Sequence, residues 1–284
     1  MRRVKLGLIP PYGLAPVEDG SFARAFARLA EELGFESLWP VEHVVEPVEY
    51  RSRYPYGPSG RMPVEGLALP DPLAWLAFVA GATSRIRLAP GMLILPQRNP
   101  VVLAKELASL DRLSGGRLSL GVGLGWLREE ADAVGTGFDD RAERAEEAIA
   151  AMRALWREDV ASFAGKHVAF SRVRCSPKPL AAAGVPIVIG GHSRAAARRA
   201  GRIGDGFFPL GVTLDRLVEL RAELAVSARA AGRDPEQIEI TCLGPVDPDA
   251  ARGYEAEGVT RMVVFAPSGD LDALPGLLAP QFRT

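Results

Sequence analysis

The stretch TSRIRLAPGMLILPQRNPVVLAKELASLDRLSGGRLSLGVGLGWLREE, residues Thr83 to Glu130, decides how the chain reads. Arg87 to Leu95 is an apolar run that reads as a strand. Asn99-Pro100 is a capping residue followed by proline at the first helical position, so a helix runs on to Leu113. Ser114 to Arg117 turns the chain, and Leu118 to Val122 is the next strand. Both strands end in glycine or proline. Glycine at the carboxyl end of a strand lets backbone approach a bound molecule closely, and α/β proteins bind their ligands at that end.

The same rhythm extends in both directions. Upstream, Val4 to Ile9 reads as strand one. Ser21 to Leu33 is an amphipathic helix with Phe22, Phe26, Leu29, Ala30 and Leu33 on one face, and Ser37 to Val41 is strand two. Asp71-Pro72 opens a helix to Ala82. Downstream come a helix from Arg141 to Trp156 and an excursion over 163–179 with hairpin character. Strand five is Pro186 to Ile189, and Ser193 caps a helix to Ile203. Strand six is Gly206 to Leu210, and Thr213 caps a helix to Ala231. Ile238 to Leu243, a short helix over 249–257, Arg261 to Phe265 and a last helix over 271–278 finish the count. Eight apolar strands alternating with helices argue for a parallel sheet covered on both faces. The expected fold is α/β, a single (β/α)8 barrel over 1–284 with insertions after strands two and four. A doubly wound open sheet is the competitor.

Bulk composition narrows the function. The 284 residues carry 34 basic and 35 acidic side chains, a formal net charge of −1. With no long basic run, nucleic acid is not an expected partner. No stretch is long and apolar enough for a membrane helix. The opening Arg2-Arg3 hints at a leader, but its apolar run stops at Pro10. Cys175 and Cys242 read as reduced thiols, consistent with a cytoplasmic protein. The three histidines, His43, His167 and His192, are scattered, and no metal motif is present.

Several clusters could carry chemistry. Glu42-His43 closes strand two, where a carboxylate and an imidazole can bond a heterocycle and move a proton; the bland alternative is a strand cap beneath the loop that follows. Pro90-Gly91-Met92 interrupts strand three, either as a platform for a flat ring or as a kink giving room to a neighbour. Gly121, Gly123 and Gly125 resemble a dinucleotide fingerprint with the wrong third spacing, and suit a crowded mouth better. Gly190-Gly191-His192-Ser193 leads into a helix N-terminus with Arg194 and Arg198 in its first turns, a modest anion-site signal. Residues 46–70 lack periodicity and hold Tyr50, Arg51, Arg53, Tyr54, Tyr56 and Arg61; a loop so long is a lid or is disordered. Met92, Trp39, Trp75, Trp126 and Trp156 would ordinarily be core.

Together, GFESLWPVEH at 34–43, the 84–130 block and PIVIGGHSRAAARRAGRIGDGFFP at 186–209 resemble the bacterial luciferase-like flavin superfamily. Within it the chain looks like the oxidoreductases that use the deazaflavin coenzyme F420. The resemblance covers almost the whole chain and implies a TIM-type (β/α)8 barrel. It implies that Glu42 and His43, standing where the family commonly has Asp-His, touch the deazaflavin, with His43 as candidate acid or base. It implies a non-prolyl cis peptide at Gly91-Met92 behind the ring. Gly121, Gly123, Gly125 and Trp126 would lie beside the cofactor, and Gly190, Gly191 and Ser193 near its phosphate. The implied reaction is hydride transfer between deazaflavin C5 and a small organic substrate. An FMNH2-dependent monooxygenase served by a reductase is the alternative, and a non-catalytic flavin binder the second. Homodimers are common in the superfamily.

Overall fold

The structure, a computed structural model, describes residues 4–63, 65–244 and 248–279; Arg2 and Arg3, on which the leader reading turned, lie outside them. The elements are β1 (Lys5–Ile9), α1 (Gly20–Glu32), β2 (Ser37–Leu38), α2 (Pro72–Ala80), β3 (Arg87–Leu88), β4 (Leu93–Ile94), α3 (Pro100–Leu113) and β5 (Leu120–Gly123). Then follow α4 (Arg128–Val134), α5 (Arg141–Arg157), the antiparallel pair β6 (Ala161–Ala164) and β7 (Ala169–Val173), and β8 (Ile187–Gly190). The chain continues with α6 (Arg194–Ile203), β9 (Gly206–Phe208), α7 (Leu214–Ala230), β10 (Glu239–Leu243), α8 (Pro248–Ala256), β11 (Arg261–Phe265) and α9 (Leu274–Leu278).

The nine parallel strands of the main sheet follow the order β3-β2-β1-β11-β10-β9-β8-β5-β4. Its two edge strands, β3 and β4, are neighbours on the chain. The sheet therefore curls until both edges meet in residues 87–94, and Leu88 also bridges Leu118. The expected third strand is thus two short pieces, and the break between them is Ala89 to Met92. The Gly91-Met92 peptide is cis.

Alternation along the strands feeds two separate cores. Leu8, Leu88, Ile187, Ile189, Met262 and Val264 point towards the helices and join the large outer core. The residues between them, Ile9, Ala89, Val188 and Val263, join Trp39, Met92 and Phe208 in a small inner cluster. Burial on both faces is why the strands read as continuous apolar runs rather than alternating ones. Inside the curl, Trp39 and Phe208 pack edge to face with centroids 5.4 Å apart. Trp75 and Trp156 are buried in the outer core, and each indole N–H donates to a carbonyl, of Val17 and Ala104 respectively.

Helix starts follow their capping residues. Asn99 Oδ1 accepts the N–H groups of Val101 and Val102, Ser193 Oγ that of Ala196, and Thr213 Oγ1 that of Arg216. Each satisfies a donor that the helix itself leaves unpaired. The short helix α4 lies between the fourth strand and the helix expected from Arg141. Among the described residues no helix is long and apolar enough to cross a membrane.

Candidate functional site

The carboxyl ends of the strands form the mouth of the curl, and the end of strand two supplies its first two polar groups. Pro40 O accepts the Gly91 N–H at 2.7 Å, which ties this turn to the break in strand three. Glu42 then turns inward and is 6 % exposed. Its carboxylate accepts the Ile94 N–H and a guanidinium N–H of Arg98. Arg98 Nη2 also donates to Asp71 Oδ2 at 2.6 Å, and Asp71 caps α2. Burial pushes the Glu42 carboxyl above the usual carboxylate range, and Arg98 opposes the shift only in part. Glu42 is therefore a bracket between strand two, the segment after the cis peptide and α2.

His43 meets a partner that the sequence did not single out. Its Nδ1 lies 3.0 Å from Oε2 of Glu130, whose side chain is fully buried in the first turn of α4. Glu130 Oε1 accepts the N–H of Val44 at 2.6 Å. A carboxylate only accepts, so Nδ1 carries the hydrogen and a neutral His43 keeps its lone pair on Nε2. This is an oriented imidazole with one nitrogen free for a proton. The signal available in the sequence was the pair Glu129-Glu130, acidic residues in the first turn of a helix opening just beyond the strand-four glycines.

The glycines of the mouth serve the cis bulge. A Cβ built on Gly121 would sit 2.1 Å from Pro90 O, and one on Gly190 would sit 2.8 Å from Met92 Cγ. One on Gly123 would lie 3.2 Å from Met92 Cβ. At these three positions the close approach is to the chain's own 90–92 segment. Met92, 9 % exposed, lies over all three and closes the inner cluster. Gly91 itself rests on Trp39, with 3.2 Å from its ideal Cβ to the indole. Gly125 is different: it has φ +78°, its carbonyl accepts from Arg141, and Ile94 fills the space beside it.

Residues of the 46–70 segment cross the mouth as an aromatic arch. His43 packs edge-on against Trp126 at 6.0 Å, Trp126 against Tyr54 at 5.4 Å, Tyr54 against Tyr56 at 5.4 Å, and Tyr56 against His192 at 5.0 Å. Trp126 is half-buried in this arch, so it belongs to the mouth rather than to the core. Tyr50 packs on its far side at 5.8 Å and carries the Arg61 guanidinium over its ring. The start of the segment is pinned by α4: Glu129 Oε1 accepts the Arg51 N–H at 2.6 Å and the Ser52 N–H at 3.3 Å. These donors hold the Glu129 carboxyl down at about 2. Both acidic side chains of α4's first turn thus clamp the segment that follows strand two.

At the end of strand five, Gly191 adopts φ +121° and donates to Phe208 O, and Ser193 caps α6. His192 Nδ1 is buried with no hydrogen-bond partner. Burial, with Arg216 adding to it, pushes the His192 imidazole below its usual pKa. Arg194 and Arg198 do not gather here; both pair with Glu223 of α7. The cation near this turn is Arg216, which reaches the His192 carbonyl from α7. Among the described residues, no group of His, Cys, Asp and Glu side chains is placed to hold a metal ion.

This geometry can be set beside known proteins. An uncharacterized protein of Mycobacterium tuberculosis (strain H37Rv) is 33 % identical over 268 residues, covering 92 % of this chain and 93 % of its own. An FMNH2-dependent dimethylsulfone monooxygenase of Pseudomonas putida is 28 % identical, covering 89 % of this chain and 70 % of its own. Among solved structures, an F420-dependent secondary alcohol dehydrogenase superposes with a TM-score of 0.79 and 18 % identity, with 100 % of both chains covered. Monooxygenase RslO1 from Streptomyces bottropensis gives 0.68 and 26 % identity, covering 98 % of this chain and 80 % of that one. The family model for luciferase-like monooxygenase matches residues 7–252, and the chain belongs to that family.

Proposed function

We propose that this chain is an oxidoreductase using coenzyme F420 to move a hydride to or from a small organic substrate at the strand mouth. The observation that carries the reading is the His43–Glu130 pair, an imidazole fixed in one tautomer with Nε2 free. The curled sheet is read as a closed (β/α)8 barrel of one domain, with insertions after its second and fourth strands.

The residues present fit such a cofactor. The buried, unpartnered His192 Nδ1 and the left-handed turn at Gly191 leave an unspent polar group where a phosphate would arrive. Gly91 and Met92, backed by Trp39, offer a rigid wall on which a flat ring can lie. When bound, the deazaflavin takes or gives the hydride at C5. The chain's own part is proton handling and positioning. As an alcohol loses hydride from carbon, its hydroxyl proton passes to His43 Nε2 and a carbonyl forms. Glu130 accepts from Nδ1–H and steadies the imidazolium. In the reverse direction the imidazolium returns the proton to the nascent alkoxide. The aromatic arch excludes water from that exchange.

The better superposition on the F420-dependent alcohol dehydrogenase, a TM-score of 0.79 against 0.68 for monooxygenase RslO1, supports F420. The 28 % identity to the dimethylsulfone monooxygenase favours the second reading, an FMNH2-dependent monooxygenase fed by a reductase. A non-catalytic binder would have no use for an oriented imidazole. We also infer a homodimer in the cytoplasm, with the exposed Phe78, Val101 and Val102 as apolar side chains available for a contact.

The test is an anaerobic assay with F420 and a panel of alcohols, enones and imines. Deazaflavin reduction or oxidation without oxygen supports hydride transfer. Turnover only with reduced FMN and oxygen would replace this reading with the monooxygenase.

A further inference from the structure

The Trp126 indole is the hub of the mouth. Three rings pack edge-on against it, His43 at 6.0 Å, Tyr50 at 5.8 Å and Tyr54 at 5.4 Å, with interplanar angles of 81°, 72° and 77°. Trp126 stays half-buried, so these neighbours leave part of it uncovered. A substrate whose oxygen stands at His43 Nε2 has its body beside these rings.

Fixed charge is turned away from that space. Exposure alternates over residues 51–54: Arg51 and Arg53 are exposed, Ser52 and Tyr54 half-buried. The segment thus presents its guanidinium groups to solvent and the Tyr54 ring to Trp126. Arg61 is exposed too, 2.9 Å from Glu65 and 4.2 Å above the Tyr50 ring. The carboxylates of the mouth are spent on the chain's own donors. Glu42 accepts from Ile94 and Arg98, Glu129 from the Arg51 and Ser52 amides, and Glu130 from His43 and Val44. Burial pushes the Tyr54 and Tyr56 phenols up and the His192 imidazole down, so these rings stay neutral.

What remains to meet a substrate is neutral ring surface and the Nε2 lone pair of His43. A charged group brought there loses its water and finds no counter-ion. A flat apolar body gains edge-to-face and offset ring contacts. We propose, on the hydride-transfer reading above, that the substrate is an uncharged aryl alcohol or the carbonyl compound formed from it. Its ring lies against Trp126 and Tyr54, and its single oxygen meets His43 Nε2. In the oxidising direction the carbinol C–H bond breaks and its electron pair leaves with the hydrogen for the bound deazaflavin. The O–H proton passes to His43 Nε2, and the C–O bond becomes C=O. Alcohols that carry a carboxylate or phosphate are rejected.

The test uses the full chain loaded with F420, without oxygen, once fluorescence titration has measured the affinity for F420. Four alcohols separate ring from charge: 1-phenylethanol, mandelate, 2-propanol and lactate, with the matching ketones offered to reduced F420. In whichever direction runs, kcat/KM for the uncharged aryl compound exceeds that of each of the other three by about tenfold or more. Tyr54→Ala lowers the ratio of aryl to small uncharged substrate by about tenfold, and Tyr54→Phe, which keeps the ring, keeps the ratio. Saturation-transfer NMR reads the same contact without turnover: acetophenone ring protons receive saturation from the parent and less from Tyr54→Ala. Equal or better turnover of mandelate, lactate or 2-propanol, or an F420-loaded chain inert towards the aryl pair in both directions, would overturn the proposal and leave the hydride-transfer reading standing. Failure to bind F420 would overturn that reading itself, and the substrate assignment with it.

Discussion

His43 Nδ1 and Glu130 Oε2 lie 3.0 Å apart, joining the end of strand two to the first turn of a helix 87 residues further along the chain. The contact fixes the tautomer of the imidazole. If His43 moves the substrate proton, His43→Ala cuts turnover by roughly 10²–10⁴-fold and leaves cofactor affinity within a few-fold. Glu130→Gln lowers turnover in the same direction, because an amide no longer dictates which nitrogen carries the hydrogen. Single-turnover rates and cofactor titrations on both variants check this. Lost binding with an unchanged rate would remove the acid/base role.

Crowding at Gly121 predicts a stability effect. A Cβ there meets Pro90 O, a backbone atom that cannot swing away, so Gly121→Ala costs about 3 kcal/mol. Gly190→Ala meets the flexible Met92 side chain instead and costs less. Trimming the obstacle, Gly190→Ala with Met92→Ala, is less destabilising than the sum of the single changes. Urea denaturation of the four variants measures the coupling; strict additivity would show that Met92 does not occupy that space.

Arg98 predicts a pH dependence. Its removal in Arg98→Met leaves the Glu42 carboxylate buried without its cation, a loss of about 3 kcal/mol near pH 8. Burial already holds the Glu42 carboxyl above its unfolded value, and the variant raises it further. Such a group binds more protons folded than unfolded, so its destabilisation is present at high pH and shrinks as pH falls through the folded pKa. The gap between variant and parent therefore narrows on acidification towards pH 5. A gap that is constant between pH 8 and pH 5 would contradict the placement of Glu42.

Glu129 predicts the opposite sign. Its carboxyl is held at about 2 against an ordinary 4.5 by the Arg51 backbone N–H. Its grip on the arch is complete above 4.5 and lost as pH falls through about 2. Hydrogen exchange at the Arg51 and Ser52 amides is expected to stay slow at neutral pH in the parent and become fast in Glu129→Ala, which removes the acceptor. Equal protection in the two would show that α4 does not anchor the segment.

Much of the frame was legible because local signals and burial agree. Asn99-Pro100, Ser193 and Thr213 marked helix starts that the structure keeps, and β11 spans the expected Arg261 to Phe265. The site was less legible, since it depends on contacts distant in sequence. Nothing in the periodicity of residues 124–140 announced α4, a helix of two turns. Both of its acidic anchors were therefore missed. The mouth glycines were visible, but not what covers them, because Met92 reaches them only through the backbone break at residues 89–92. Arg194 and Arg198 looked available from spacing alone; the structure pairs them with Glu223, which only the packing of α6 on α7 brings near.

The most direct test of the central claim is a fluorescence titration of the purified chain with F420 and with FMN in the same buffer. The account predicts tight F420 binding and weak FMN binding. Tight FMN binding with weak F420 binding would contradict it and make the mouth an oxygen-using flavin site.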